Sequence, residues 1–349
     1  MVKAVVRGEG GKAEIQEVPK PRLREGHVLV KVKAIGVNPA DWKTIEYGLA
    51  GTGARIGLDY VGIVEEVGEG VAKPFKKGDR IAGWVHGGNR HNHDFGSFGD
   101  YLTAKAALQF KVPDSISDEE AATFGVSVTT LGQGLYKILG LPFPSEPTKT
   151  PYPILIYGGS TATGLYGIQY AKASGLTVIA TASPHNFDYV KSLGADAVFD
   201  YKSPTCGADI KAFTNNKLKL AWDCTGKGVE VCAAALSDAE ESKYATIISV
   251  DKDLLRQLNP KVDGPYFHLA YDAFGDGYPW WDGDVPPKPD ELEFGTRFLS
   301  LTPQLLADGT IRPIRTFVNR GGSGLEGVLK GLDELRAGRV SAGKLVYTL

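Results

Sequence analysis

The sequence predicts an α/β protein of two domains, one β-rich and one built on a doubly wound parallel sheet. Three observations carry that expectation. At 349 residues the chain is longer than one simple core serves. Its first 110 residues read as short β-rich runs between turn signals. Beyond a Pro-rich break at 141–153, apolar runs alternate with helical patterns, as in parallel strands joined by crossover helices.

The β-rich runs are KAVVRG, AEIQEVP, HVLVKVKAIGV, DYVGIVEEVG and DRIAGWV, separated by turns such as REGH, EGVAKPF and KKGD. Alternation in HVLVKVKAIGV puts Val28, Val30, Val32 and Ala34 on one face. From about residue 115, SISDEEAATFGVSVTTLGQGLYKIL opens on a Ser/Asp capping signal and keeps helical spacing. LPFPSEPTKTPYP, which follows, cannot be helix interior. Then come PILIYGG, LYGIQYAKASG, TVIATAS, NFDYVKSLGA, AVFDY, LKLAWDCTG, GVEVCAAALS and YATIISV, strand and helix in alternation. Residues 260–294 are dense in aromatics, Gly, Pro and Asp. They read either as a long irregular excursion over a ligand site or as a surface loop packed on its own aromatics. EFGTRFLSLTPQLLADG (helix), IRPIRTFV (strand), GLEGVLKGLDELRAG (helix) and SAGKLVYTL close the chain. Charges in SKYATIISVDKD, after the presumed edge strand, discourage edge pairing and favour a monomer.

Composition narrows the function. The formal net charge is −2, without the basic excess of a nucleic-acid binder, and KPFKKGDR reads as a solvated turn. Cys206, Cys224 and Cys232 are too few and too scattered for a disulfide framework or a four-cysteine zinc site. Cys224, in the core-like run AWDC, is expected to pack rather than react. No signal-peptide core and no membrane-length apolar run is visible, which fits a reducing, cytoplasmic compartment.

The most informative stretch is IYGGSTATGLYGIQYAK. A glycine-rich turn between a parallel strand and a helix lets backbone N–H groups reach a pyrophosphate at the helix N-terminus. Gly158, Gly159 and Gly164 supply the permissive backbone, Ala162 is small, and Ser160, Thr161 and Thr163 offer hydroxyls to phosphate. An NAD site usually ends its next strand in Asp or Glu. Here TVIATA is followed by Ser183, Pro184, His185 and Asn186, so NADPH is favoured over NADH. Asp188 is expected on the following helix, and no Arg stands at this position. Tyr201 either packs on the adenine or is an ordinary strand-end aromatic.

The order of these parts resembles the medium-chain dehydrogenase/reductase superfamily over essentially the whole chain. VNPADWK, GLDYVGIVEEVG, KKGDRIAG, AWDCTG and GKLVYTL match its successive landmarks. The resemblance implies a GroES-like catalytic domain at 1–125, completed by 300–349. It also implies a Rossmann NADP-binding domain at 126–299 that includes the 260–294 excursion. Zinc members keep a catalytic Cys, a His-Glu pair and a four-Cys lobe. GVNPADWK, IGLDYVG and WVHGGNRHNHDFGSFGDY hold none of these. His86, His91 and His93 read as part of a polar loop, and no metal is expected.

YGGSTATG together with TASPHNFDYVKSLGADAVFDY is similar to the trans-acting enoyl reductases that serve fungal highly reducing polyketide synthases. That likeness implies NADPH-dependent hydride transfer to the β-carbon of an α,β-unsaturated thioester in secondary-metabolite biosynthesis. The thioester would be carried on the acyl-carrier domain of a polyketide synthase or synthase–peptide synthetase hybrid. By position, the cofactor contacts would be Asp41, Trp42, Lys43 and Thr44; Ser160, Thr161, Ala162 and Thr163; and Ser183, Pro184, His185 and Asn186. Tyr201, Ile248, Ser249, Val340 and Ser341 would complete them. The acyl chain would lie along Val126, Ser127, Val128, Thr129, Thr130, Leu131, Gly132 and Gln133, and along Phe267, His268, Leu269, Ala270 and Tyr271. Without a metal, enolate charge must be met by donors or a cation. Lys43 is the first candidate, equally placed as a cofactor anchor, and Tyr47 is the second. Asn38 and Asp41 shape the same loop. Trp280 and Trp281 are read as contacts to the acyl chain or to a protein partner. A stand-alone quinone or alkenal reductase, and a non-enzymatic NADPH-binding protein, are the alternative readings.

Overall fold

The computed structural model describes all residues, 1–349. The chain forms two compact units, Met1–Thr129 with Tyr271–Leu349, and Thr130–Ala270.

The first unit is β-rich. A seven-stranded sheet runs in the order Thr316–Val318, Lys344–Thr348, His27–Gly36, Asp59–Val67, Arg80–Trp84 and Phe110–Lys111, with Tyr101–Lys105 paired to His27–Gly36. Along His27–Gly36 only Lys31 and Lys33 are exposed, so Val28, Val30, Val32 and Ala34 share a buried face as their alternation predicts. Leu29 and Ile35 are buried as well, because both faces of this central strand are covered. Val28, Val30, Ile35, Tyr60, Val64, Ile81 and Leu102 meet in one apolar core, each aliphatic side chain contributing about 1.5–3 kcal/mol when fully buried.

The helix expected from residue 115 forms in pieces. The expected cap is present as a capping box made by Ser117 and Glu120, but the first turn covers only Asp118–Ala121. The Val126 N–H turns to Asp59 Oδ1 at 2.6 Å, where a straight helix would bond it internally. Helix resumes over Gly125–Leu131 and widens to a π-helix over Gly132–Ile138. The run expected as one helix near the C-terminus is two, Pro289–Leu299 and Thr302–Ala307, with Pro303 opening the second. In IRPIRTFV only Thr316–Val318 is strand, since Pro313 lacks an N–H for the ladder.

Residues 271–299, expected with the nucleotide-binding part, pack with the β-rich unit instead. The cause is aromatic packing. Tyr271 and Phe274 pack on Trp84, with ring centroids 6.0 and 4.5 Å away, and Tyr271 stacks on His86 at 4.3 Å. The excursion at 260–294 is also more regular than its composition predicts. It contains a strand, Val262–Phe267, and a hairpin, Tyr278–Trp280 with Gly283–Val285.

The second unit is a six-stranded, wholly parallel sheet ordered Ala197–Asp200, Thr177–Ala182, Pro153–Tyr157, Leu220–Asp223, Ser242–Thr246, Val262–Phe267. The strand order reverses beside Pro153–Tyr157, the first strand in sequence, which opens a crevice at the carboxyl ends of the strands. The sequence reading placed the sheet edge at SKYATIISV. That strand is interior, and Val262–Phe267 forms the edge beyond it. Pro265, which has no N–H, and a register shift between Lys243 and Ala245 interrupt the edge, so they take the protective role assigned to the charges.

Candidate active site

In the parallel-sheet unit every predicted cofactor segment follows the carboxyl end of a strand. Gly158–Thr163 follows Pro153–Tyr157, Ser183–Asn186 follows Thr177–Ala182, Tyr201 follows Ala197–Asp200, and Ile248–Ser249 lies just past Ser242–Thr246. The glycines in the first turn are required by geometry. Gly158 sits at φ +80°, where an L side chain is strained, and a Cβ on Gly164 would lie 2.4 Å from Gly158 O. The helix Ala162–Ala173 begins at once, presenting the free N–H groups of its first turn. This cradle fits a dinucleotide pyrophosphate.

The protein uses one of the three predicted hydroxyls itself. Thr161 Oγ1 donates to Gly158 O at 2.8 Å and accepts the Gly164 N–H at 3.0 Å, capping the helix. Ser160 and Thr163 remain half-buried at the turn. Beneath it lies Cys224, buried and hydrogen-bonded to the Thr161 side chain; burial pushes its thiol well up, as expected of a packing residue. At the second turn, Pro184 and His185 are exposed and Asn186 is buried. Ser183 Oγ lies 3.5 Å from Tyr201 Oη, and Tyr201 packs edge-on against Tyr157. Asp188 is on the next helix, Phe187–Ser192.

Sequence reasoning assigned no role to Asp223. Its buried carboxylate accepts from the Thr225, Gly226 and Gly228 N–H groups and from the Thr225 and Tyr244 hydroxyls. It shapes the loop after Leu220–Asp223, and an acid at the end of the apolar run LKLAWD was its signal. Of the predicted acyl residues in this unit, Thr130, Leu131, Gly132 and Gln133 are buried on the helix and its π continuation. Phe267 ends the edge strand exposed, Leu269 and Ala270 are half-buried, and His268 is buried. Trp222 Nε1 donates to His268 Nε2 at 3.4 Å, and burial lowers that histidine to about 4, so it is neutral.

In the β-rich unit the helix Pro39–Glu46 carries another of the predicted cofactor segments, Asp41–Thr44. Asp41 is spent partly on structure, its Oδ2 accepting the Asn38 N–H at 2.7 Å in a capping box. Its Oδ1 is buried without a partner, and burial raises its pKa well above the carboxylate range. Thr44 Oγ1 donates back to Asp41 O, Trp42 is half-buried, and the Lys43 ammonium lies 5.7 Å from the Trp42 ring. Tyr47 is 51% exposed and stacks on Trp281, itself 53% exposed at the hairpin tip with φ +50°. Val340 is half-buried and Ser341 exposed in the loop before Lys344–Thr348. Val126 is half-buried, whereas Ser127, Val128, Thr129 and Tyr271 are buried.

The pair at the centre of this unit was also not read from the sequence. Buried Lys344 makes a short ion pair with buried Asp59 and donates to Asn38 Oδ1 at 2.9 Å, while Asn38 Nδ2 donates to Asp59 Oδ2 at 3.0 Å. The only signal was a lysine opening the apolar strand KLVYT. His86, His91 and His93 do not converge. His86 is buried among Tyr271, Phe274 and Tyr278, His91 faces Asp284 at 3.5 Å, and His93 borders Gly51. No three His, Cys, Asp or Glu side chains gather in a way that could hold a metal ion, and no helix is long and apolar enough to cross a membrane.

Comparison with known proteins agrees with this architecture. The family described as "Alcohol dehydrogenase GroES-like domain" matches residues 24–114, and the one described as "Zinc-binding dehydrogenase" matches residues 162–242. The chain is 42% identical to a trans-enoyl reductase of Alternaria alternata over 99% of its own length and 98% of the relative's. It belongs to the trans-enoyl reductases. Another of them, from Aspergillus sclerotiorum, is 41% identical over 97% of both chains. Among solved structures, an alcohol dehydrogenase superfamily protein from Novosphingobium aromaticivorans shares the fold, with a TM-score of 0.79, 21% identity and full coverage of both chains. As a trans-enoyl reductase of the medium-chain dehydrogenase/reductase superfamily, the chain is a nicotinamide-dependent oxidoreductase acting on carbon–carbon double bonds.

Proposed function

We propose that this trans-enoyl reductase reduces an α,β-unsaturated acyl thioester carried on the acyl-carrier domain of a polyketide synthase, with NADPH as reductant. The observation that carries the reading is the Gly158–Thr163 turn with the acid-free turn Ser183–Asn186 beside it, in a chain 42% identical to a named trans-enoyl reductase. The first turn offers backbone N–H groups and the Ser160 and Thr163 hydroxyls to the pyrophosphate. Ser183, His185 and Asn186 offer hydroxyl, imidazole and amide to a 2′-phosphate, which a strand-end acid would repel. Tyr201, Ile248 and Ser249 border the adenosine side. Trp42, Lys43, Thr44, Val340 and Ser341 of the β-rich unit serve the nicotinamide side.

When bound, the reduced nicotinamide supplies a hydride to the β-carbon of the acyl group. The protein's task is to hold the acceptor, exclude water and meet the charge that gathers on the thioester oxygen. The Lys43 ammonium, with Tyr47 one turn further along the helix, is proposed to place positive charge and a hydroxyl there. The buried stretch Val126–Gln133 and the segment Phe267–Tyr271 are proposed to line the acyl chain. The protein acts as a monomer, since the sheet edge at Val262–Phe267 is interrupted by Pro265.

The direct test is mass spectrometry of a carrier domain loaded with an enoyl pantetheine thioester and incubated with enzyme and NADPH. The reading expects a tethered acyl group heavier by two hydrogens. An unchanged thioester would refute it.

A further inference from the structure

We infer that the Tyr271 hydroxyl is a further hydrogen-bond donor, in addition to the Lys43 ammonium, that meets the thioester carbonyl oxygen during reduction, an inference that rests on the enoyl-thioester reading above. Tyr271 is 6% exposed, and its Oη has no hydrogen-bond partner. A buried hydroxyl left without a partner costs about 1–3 kcal/mol, so a native structure that keeps one calls for an explanation.

The ring cannot simply swing to relieve this. His86 stacks on it at 4.3 Å and 23°, and Trp84, Tyr278 and Trp280 surround it with centroids 6.0, 5.8 and 5.8 Å away. The aromatic cage therefore fixes the position of a polar atom that the protein does not satisfy. A donor held in place before the reaction is what stabilises developing negative charge without reorganisation.

Among the other buried side-chain atoms of the same unit that lack a partner are Asp41 Oδ1 and Ser127 Oγ. Asp41, Ser127 and Tyr271 lie far apart in sequence, one in each of the three stretches 41–44, 126–133 and 267–271 assigned to cofactor and acyl chain. Tyr60 Oη, also without a partner, lies instead in the apolar core of the sheet. Among the three, Tyr271 is the fixed donor. Burial, reinforced by the nearby Asp41, raises its pKa, so the phenol keeps its proton. Asp41 is already engaged through Oδ2, which accepts the Asn38 N–H.

The chemistry balances without proton loss from Tyr271. The β-carbon gains a hydride with its electron pair, and the former π pair moves toward the thioester oxygen as an enolate. Tyr271 O–H donates a hydrogen bond to that oxygen, and the α-carbon then takes a proton from water.

The test is Tyr271→Phe, which keeps the ring and removes only the hydroxyl. The expected result is a kcat about 10²–10³-fold lower with little change in KM, the usual loss for one such donor. A second readout is independent of turnover: the melting temperature stays the same or rises, because an unsatisfied buried hydroxyl is gone. A kcat within about threefold of wild type, or a Tm lowered by several degrees, would overturn the inference, the latter because the hydroxyl would then have a structural partner. If wild type reduces free enones but not thioesters, the thioester reading fails. The same pair of proteins still decides the donor, since an enone oxygen takes up the same charge.

Discussion

The Lys344 ammonium lies against the Asp59 carboxylate, 285 residues away in sequence, with both side chains buried. Around this contact four segments are joined. Asp59 also holds Asn38, at the mouth of the helix Pro39–Glu46, and the Val126 N–H that starts the helix Gly125–Leu131. Two stretches proposed to meet cofactor and substrate are thus hung on one ion pair. Lys344→Met leaves a buried carboxylate without its cation and is expected to destabilise the fold by about 3–5 kcal/mol. Asp59→Asn is expected to cost a similar amount, and the double variant less than the sum of the two. Chemical denaturation of the four proteins measures this; strict additivity would show that the pair is not coupled.

Gly158→Ala tests the turn. An L residue at φ +80° costs about 1–2 kcal/mol, and its Cβ would also fall 2.6 Å from Thr225 Cγ2. The variant is expected to fold with a lower Tm and to bind the cofactor at least tenfold more weakly, by fluorescence titration. Unchanged affinity would remove the turn from the cofactor site.

Ser183→Asp tests the choice of cofactor. A carboxylate at this strand end repels a 2′-phosphate, so Kd for NADPH should rise about tenfold or more, equivalent to at least ~1.4 kcal/mol, while Kd for NADH stays within about twofold. Equal changes for both cofactors would place the 2′-phosphate elsewhere.

Two buried histidines set an acid limit. Burial holds His86 at about 3 and His268 at about 4, below the ordinary 6.5. The unfolded chain therefore takes up protons first as pH falls. Their contribution is intact above pH 6.5 and is lost as pH drops toward 4, by about 1.4 kcal/mol per pH unit for each residue once fully below its unfolded pKa. His86→Gln should flatten this slope in denaturation series between pH 6.5 and 4. An unchanged slope would mean that His86 is not buried neutral.

Local signals were legible and distant ones were not. The Gly158 turn announced itself because only glycine suits its backbone, and the Ser/Asp run SISD marked a helix start. The alternation at Val28–Ala34 needed no partner to be read. The pairing of Lys344 with Asp59 was not legible, since nothing in either segment names the other. Val262–Phe267 was masked as a strand by its Gly-Pro pair, and residues 271–299 were misassigned because aromatic stacking on Trp84 and His86 is invisible to local pattern. Of the candidate site, the glycine-rich turn between Pro153–Tyr157 and Ala162–Ala173 was readable from the sequence. The orphaned hydroxyl of Tyr271 was not, because an unmet hydrogen bond exists only in three dimensions.

The most direct test of the central claim is the rate of NADPH oxidation with an α,β-unsaturated acyl pantetheine thioester, beside a free quinone and an NADH control. The account predicts turnover of the thioester, strong preference for NADPH and little quinone reduction. Rapid quinone reduction with an inert thioester would contradict it.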